Sequence, residues 1–209
     1  MDQDILREDT IRSEEIAKEV EQEEKESKST IIREWIRDIL VAIIVALVIM
    51  QFIKPTIVKQ RSMEPNFYTN DYLLVNRQSY GLLGGEPQRG DVIVFRSELA
   101  DDQGESKLLI KRVIGLPGDS ITVTQGKVYI NGEEQRDDYT KDQSTNGEIV
   151  DLIVPEGTLF CMGDNRLVSV DSRSPEVGFI PYDAIVGKVF LRLYPFNKIG
   201  GIENPYKGD

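Results

Sequence analysis

The 209-residue chain predicts a mainly β protein: one antiparallel β-sheet domain preceded by one transmembrane helix. Three observations carry that prediction. One long apolar run, Ile39 to Ile53, stands near the start and is broken only by Gln51. From Asp71 onward, short runs rich in Val, Ile, Thr and Tyr alternate with turn residues, which is the pattern of strands. That second part has no helical stretch, and many short strands without helices pack as antiparallel sheets.

Residues 1–34 are rich in Glu, lack aromatics before Trp35 and show a broken apolar pattern (Ile5, Leu6, Ile11, Ile16, Val20). They predict a solvated helix or a disordered tail, of which a tail with helical tendency fits better. The run Ile39–Ile53 holds 15 residues, short of the roughly 20 that a span needs. Trp35-Ile36 on one side and Pro55 to Val58 on the other lengthen it, and Arg37 and Lys54 can snorkel. The anchor is therefore placed at 35–54. A buried core helix is the competing reading, but nothing nearby is amphipathic enough to cover it. A cleavable signal peptide does not fit: the run starts too far in, follows an acidic segment and lacks a small-x-small site after it. Lys25, Lys28, Arg33 and Arg37 precede the run, and Lys54, Lys59 and Arg61 follow it. That near tie leaves orientation open on charge alone.

Residues 55–209 predict the domain, with a smaller β insertion at about 120–160. Pro55 to Gln60 reads as an extended strand whose free edge could pair with another extended chain. Tyr72–Val75, Asp91–Phe95, Lys107–Ile114, Ser120–Thr124, Lys127–Ile130, Ile149–Val154, Thr158–Met162 and Ile185–Leu193 follow as strands. Gln125-Gly126 and Asn131-Gly132 are turn signals, the first closing a tight hairpin. Asp101–Glu105 and Arg136–Gly147 read as polar, exposed loops, and no tandem repeat is visible.

Composition excludes several chemistries. The single cysteine, Cys161, can form no intramolecular disulfide and, with no histidine in the chain, no Cys/His zinc site. It lies in the apolar run Thr158–Met162 and reads as packing. No metal or other cofactor is expected. Net charge is −11, with 7 basic and 13 acidic residues in 1–38 and 18 basic and 23 acidic in the rest. That balance argues against nucleic acid as a partner.

The absence of histidine also rules out a Ser-His-Asp triad. Ser62, in Arg61-Ser62-Met63-Glu64-Pro65, and Lys111, in the run Ile110 to Asp119, suggest a different pairing. A lysine can serve as base only when neutral, which needs burial, since its reference pKa is about 10.4. Leu108-Leu109-Ile110 and Val113-Ile114 supply apolar surroundings. From spacing alone two readings stand for Lys111, a general base or a surface lysine on a strand edge.

Four blocks in order settle which known family the chain resembles. They are Arg61–Pro65, Arg89–Phe95, Lys111–Asp119, and Gly163-Asp164-Asn165-Arg166 with Ser169, Asp171, Ser172 and Arg173. Lying beyond a hydrophobic segment, they resemble the bacterial type I signal peptidases of the single-anchor kind, over about Lys54 to Leu193. The resemblance implies an antiparallel β-sheet catalytic domain of the signal peptidase type, outside the cell membrane, with the N-terminus in the cytoplasm. It implies Ser62 as nucleophile, Lys111 as general base and Ser169 as the hydroxyl that orients the lysine amine. Asp171 and Arg173 would brace the site, and Val58 and Ile110 would line pockets for the small residues flanking the cut. Ordinary core packing is the other reading of those last two. Substrates would be signal peptides of exported preproteins, with the lipid bilayer as a second partner and the enzyme a monomer.

There are two departures from the family pattern. Gln60 stands where Ser or Gly is usual; either its side chain donates to the oxyanion, or the backbone supplies both donors and Gln60 faces solvent, and the second is expected. Asn66-Phe67 replaces Thr-Leu and reads as a packing variation. Two rivals remain. A self-cleaving repressor-type protease lacks support, since the chain has neither an Ala-Gly nor a Cys-Gly dipeptide. An inactive accessory or binding module sits poorly with intact Ser62, Lys111 and Ser169.

Overall fold

A computed structural model describes residues 32–80, 84–100 and 104–207. They fall into two compact units dividing after Met50.

The first unit carries most of helix α1, Ile32–Phe52, every residue of which is exposed. It begins three residues before the expected anchor, so residues 32–34 belong to it. The remainder of the expected acidic tail, 1–31, lies outside the described residues. The helix also stops earlier than expected, and Pro55 to Val58 do not prolong it. Proline lacks a backbone donor and disfavours the helical region for the residue before it, here Lys54. The chain turns extended instead, and Ile53–Ile57 forms strand β1.

The second unit is β. Strands β2 Tyr72–Asn76, β3 Val92–Ala100, β4 Ser106–Gly115, β5 Ser120–Thr124, β6 Lys127–Ile130, β7 Glu133–Glu134, β8 Ile149–Ile153, β9 Thr158–Met162, β10 Ile180–Pro181, β11 Ile185–Tyr194 and β12 Gly200–Gly201 follow in order. Among the described residues they make an eight-stranded sheet, ordered β1-β2-β11-β3-β4-β9-β10 with β12 on β11, and a four-stranded sheet, ordered β7-β6-β5-β8. Among the described residues every strand pairing is antiparallel. The smaller sheet occupies the segment read as the insertion.

Every segment read as a strand from Tyr72 onward is one, with β3 running five residues beyond the expected Phe95. Gln125-Gly126 and Asn131-Gly132 both close two-residue hairpins with positive φ at all four positions, as that turn type requires. Residues 101–103 of one expected loop lie outside the described residues.

Three apolar clusters form the core. Alternation along β4 sends Leu109 and Val113 into one of them, with Ile93, Phe95 and Cys161. Ile114 goes into another, beneath the small sheet, with Ile121 and Phe160. Val58, Met63 and Phe67 enter the third with Leu73 and Val94, so the segment around Ser62 is pinned by buried side chains before and after it.

Candidate active site

Lys111 shares its face of β4 with Leu109 and Val113, which explains why its side chain is sealed at 1% exposure. Its Nζ donates to Ser62 Oγ at 2.6 Å, across 49 positions of sequence. Ser62 is itself buried, and its backbone carbonyl accepts from Asn165 N–H at 3.0 Å. The surface-edge reading of Lys111 is therefore wrong. Strand alternation and the sheet that covers it turn the side chain inward.

Burial pushes the Lys111 amine down to about 8, because a low dielectric disfavours the charged form. Asp171 and Asp164 pull it back up, and Arg173 opposes them. Neither carboxylate is unpaired. Arg112 grips Asp164 through Nε at 2.9 Å and Nη2 at 2.7 Å, both residues being buried. Arg173 grips Asp171 through Nε and Nη2, each at 2.8 Å. Burial alone would raise the Asp171 carboxyl, but the Arg173 ion pair outweighs it and holds the group below its ordinary value. The two arginines thus blunt the negative charge that would otherwise keep Lys111 protonated. Arg112 and its partner were not anticipated from sequence, where Arg112 was simply the residue after the lysine.

Gly163 packs between the segment around Ser62 and Ser169. A Cβ there would stand 2.3 Å from Ser169 Oγ and 2.4 Å from the Ser62 carbonyl oxygen. Only glycine allows that approach. Ser169 Oγ is buried without a hydrogen-bond partner, although it lies near enough to Asp171 to favour that carboxylate. It makes no bond to the Lys111 amine in this structure.

Val58 is fully buried, and Ile110 is half-buried against the same cluster. Asn66 differs from the packing role read for it: its Nδ2 donates to Asp164 Oδ2 and to the Tyr139 carbonyl, each at 2.8 Å. Its short amide reaches two acceptors that a threonine hydroxyl could not serve at once. Phe67 does pack as expected, buried beneath the Arg192 guanidinium.

A groove of about 510 Å³ opens over Ser62, lined by Gln60 and Arg61 on one side and by Lys107 and Leu109 of β4 on another. Gln60 is half-buried along this groove rather than standing in open solvent. Among the described residues, β4 pairs with β9 only from Arg112 onward, so residues 106–111 have a partner on the β3 side alone. Cys161 is buried, its thiol pushed far up by burial, as a packing residue should be. No cluster of metal-ligating side chains occurs among the described residues.

The family model for signal peptidase, peptidase S26, matches residues 32–194. Signal peptidase I P of Bacillus subtilis subsp. natto is 34% identical over 187 residues, which cover 84% of this chain and 96% of that protein. Signal peptidase IB of Staphylococcus aureus (strain COL) is 34% identical over 192 residues, covering 83% and 95%. A crystal structure of a signal peptidase I from Enterococcus faecalis V583 is 32% identical, covering 50% of this chain and 97% of that one, with a TM-score of 0.41. Matched along most of its length by the family and by relatives at this identity, the chain belongs to the peptidase S26 signal peptidase family.

Proposed function

We propose that this chain is a membrane-bound serine endopeptidase that removes N-terminal signal peptides from exported preproteins, cutting after small residues with Ser62 and Lys111. The observation that carries the reading is the buried 2.6 Å contact between Lys111 Nζ and Ser62 Oγ. Neutral Lys111 takes the Ser62 proton as the oxygen attacks the scissile carbonyl carbon. The lysinium then protonates the leaving amine, and the mature chain departs. Lys111 next draws a proton from water as it attacks the acyl-enzyme carbonyl, and the lysinium returns that proton to Ser62 Oγ as the ester C–O bond breaks, which frees the signal peptide and restores both residues. Backbone N–H groups, that of Ser62 among them, stabilise the oxyanion. Ser169 is the hydroxyl that orients the Lys111 amine during the reaction; its Oγ is buried and spends no hydrogen bond elsewhere.

An extended substrate pairs with the open edge of β4 and with the segment leading to Ser62. Val58 and Ile110 form the floor on which its small side chains rest. Helix α1 is the single anchor, with the N-terminus cytoplasmic and the catalytic domain outside. Ile53 and Ser62 are nine residues apart, at most about 30 Å, so the nucleophile works near the bilayer where the substrate's own apolar segment lies. The enzyme acts as a monomer.

Purified protein in detergent, incubated with one preprotein, should release a product whose N-terminal sequence begins after a small residue. Ser62→Ala protein should stay folded and yield no product. Product formed at the parental rate by that variant would remove Ser62 from the mechanism.

A further inference from the structure

Beside Ser62 the groove carries more cationic donors than its local carboxylate uses. Arg61 and Lys141 both line it. Both are bound to Glu64, Arg61 Nε to one carboxylate oxygen at 2.9 Å and Lys141 Nζ to the other at 2.7 Å. These contacts hold the Glu64 carboxyl below its ordinary value. Glu64 is largely buried, whereas the Arg61 side chain is 71% exposed and that of Lys141 36% exposed. Two cations therefore share one anion, which leaves an excess of one positive charge. Most of their donors remain unspent: the Nη groups of Arg61 and two N–H of Lys141.

Lys141 is placed there by the backbone, since its N–H donates to the Asp164 carbonyl at 3.1 Å. Lys107 adds a further cation along the groove, and Glu176 is an anion in its lining. All this stands in a chain with a net charge of −11, so the local excess runs against the whole molecule.

We propose that Arg61 and Lys141, joined through Glu64, form a subsite for a carboxylate side chain of the substrate next to the scissile bond. The inference rests on the proposed function and deepens it by naming a preferred substrate class, preproteins with an acidic residue close to the cut. An extended substrate advances about 3.3 Å per residue. Arg61 adjoins Ser62 in sequence, so the acidic residue falls within about two positions of the scissile bond.

The test uses the full-length protein in detergent with pairs of peptides that differ only by Gln or Glu. The substitution is placed two residues before the cut, one after it or two after it. Each pair competes in one reaction, so the ratio of kcat/KM does not depend on the fraction of active enzyme. At low salt the Glu peptide should be favoured about threefold to fivefold at one of the three positions, the upper part of the range of one exposed ion pair. The ratio should fall towards unity as salt rises. It should also fall in Lys141→Met and in Arg61→Met, each of which leaves Glu64 one cationic partner. Ratios near unity at all three positions, or a preference untouched in both variants, would overturn the subsite while leaving the protease intact. If no peptide of any pair is cut, the proposed function falls, and the subsite with it.

Discussion

Lys111 shows how one side chain can be set against the fold that contains it. Its amine is pushed from an ordinary 10.5 to about 8 by burial. Because the folded value lies below the unfolded one, the unfolded chain binds more protons between about 8 and 10.5, and stability rises with pH across that window. Below about 8 the full cost of the buried charge is present, of order 3 kcal/mol from 1.36 kcal/mol per unit. Lys111→Met keeps the length and apolar stem without the charge, so it should abolish peptide cleavage while raising stability at pH 7 by about 1–3 kcal/mol, read from urea melts. Wild-type kcat/KM should rise with pH to a plateau, with a midpoint near the Lys111 value of about 8. A flat profile from pH 6 to 9 would remove Lys111 as the base. Gly163 sets the complementary limit. A methyl there meets Ser169 Oγ and the Ser62 carbonyl, so Gly163→Ala should lower kcat at least about tenfold, the order expected when reacting groups are misplaced by a fraction of an ångström. The missing histidine excluded an imidazole base, but spacing alone left Lys111 open between a base and a surface lysine, and the block pattern around it was what paired it with Ser62. The lone Oγ of Ser169 was not, since a hydrogen bond that is absent leaves no mark in a sequence.

At the scale of elements, β4 carries both the buried lysine and the arginine that follows it, on opposite faces. Strand alternation was readable and placed Lys111 among apolar neighbours. The turns Gln125-Gly126 and Asn131-Gly132 were readable because few residues tolerate positive φ at two successive positions. Strands β10 and β12 were not, for two residues show no period, and Pro181 argues against a strand by composition. The C-terminal end of α1 falls at Phe52, short of the expected Lys54, because apolar content does not record where a following proline forbids a helix. Least legible was the tie between Arg112 of β4 and Asp164 beyond β9, 52 positions apart, since ordinary charged residues give no hint of a buried pair. Removing one partner of such a pair strands the other charge in a low dielectric, at about 3–5 kcal/mol. Arg112→Met should destabilise by that amount and reduce cleavage, because Asp164 also receives Asn66 Nδ2 four residues after Ser62. In Arg112→Met/Asp164→Leu no charge is stranded, and denaturant melts should recover more than half of the loss. Equal losses in the single and double variants would mean that the pair acts only through packing.

Over the whole molecule, the division after Met50 separates an exposed apolar helix from a β unit that holds all three core clusters and every residue of the candidate site. None of the buried residues named in those clusters lies before Val58. Protein comprising 51–209 keeps every one of those buried residues and should unfold at nearly the parental urea midpoint. Its chemistry should also persist, since Ser62, Lys111, Asp164 and Arg173 are all retained, so kcat/KM on a short soluble peptide should stay within about threefold. Under the proposed anchoring, what the helix contributes is encounter. A preprotein whose signal peptide is embedded in lipid presents its cut site near the same bilayer, and two partners confined to one surface meet at an effective concentration far above that in bulk. Processing of a preprotein in vesicles by 51–209 should therefore fall at least about tenfold, a factor typical of lost tethering. The same preprotein dissolved in detergent micelles should show a much smaller difference between the two proteins. Equal rates in vesicles would mean that the β unit finds the bilayer without α1, and anchoring would then be a property of the domain surface rather than of the helix.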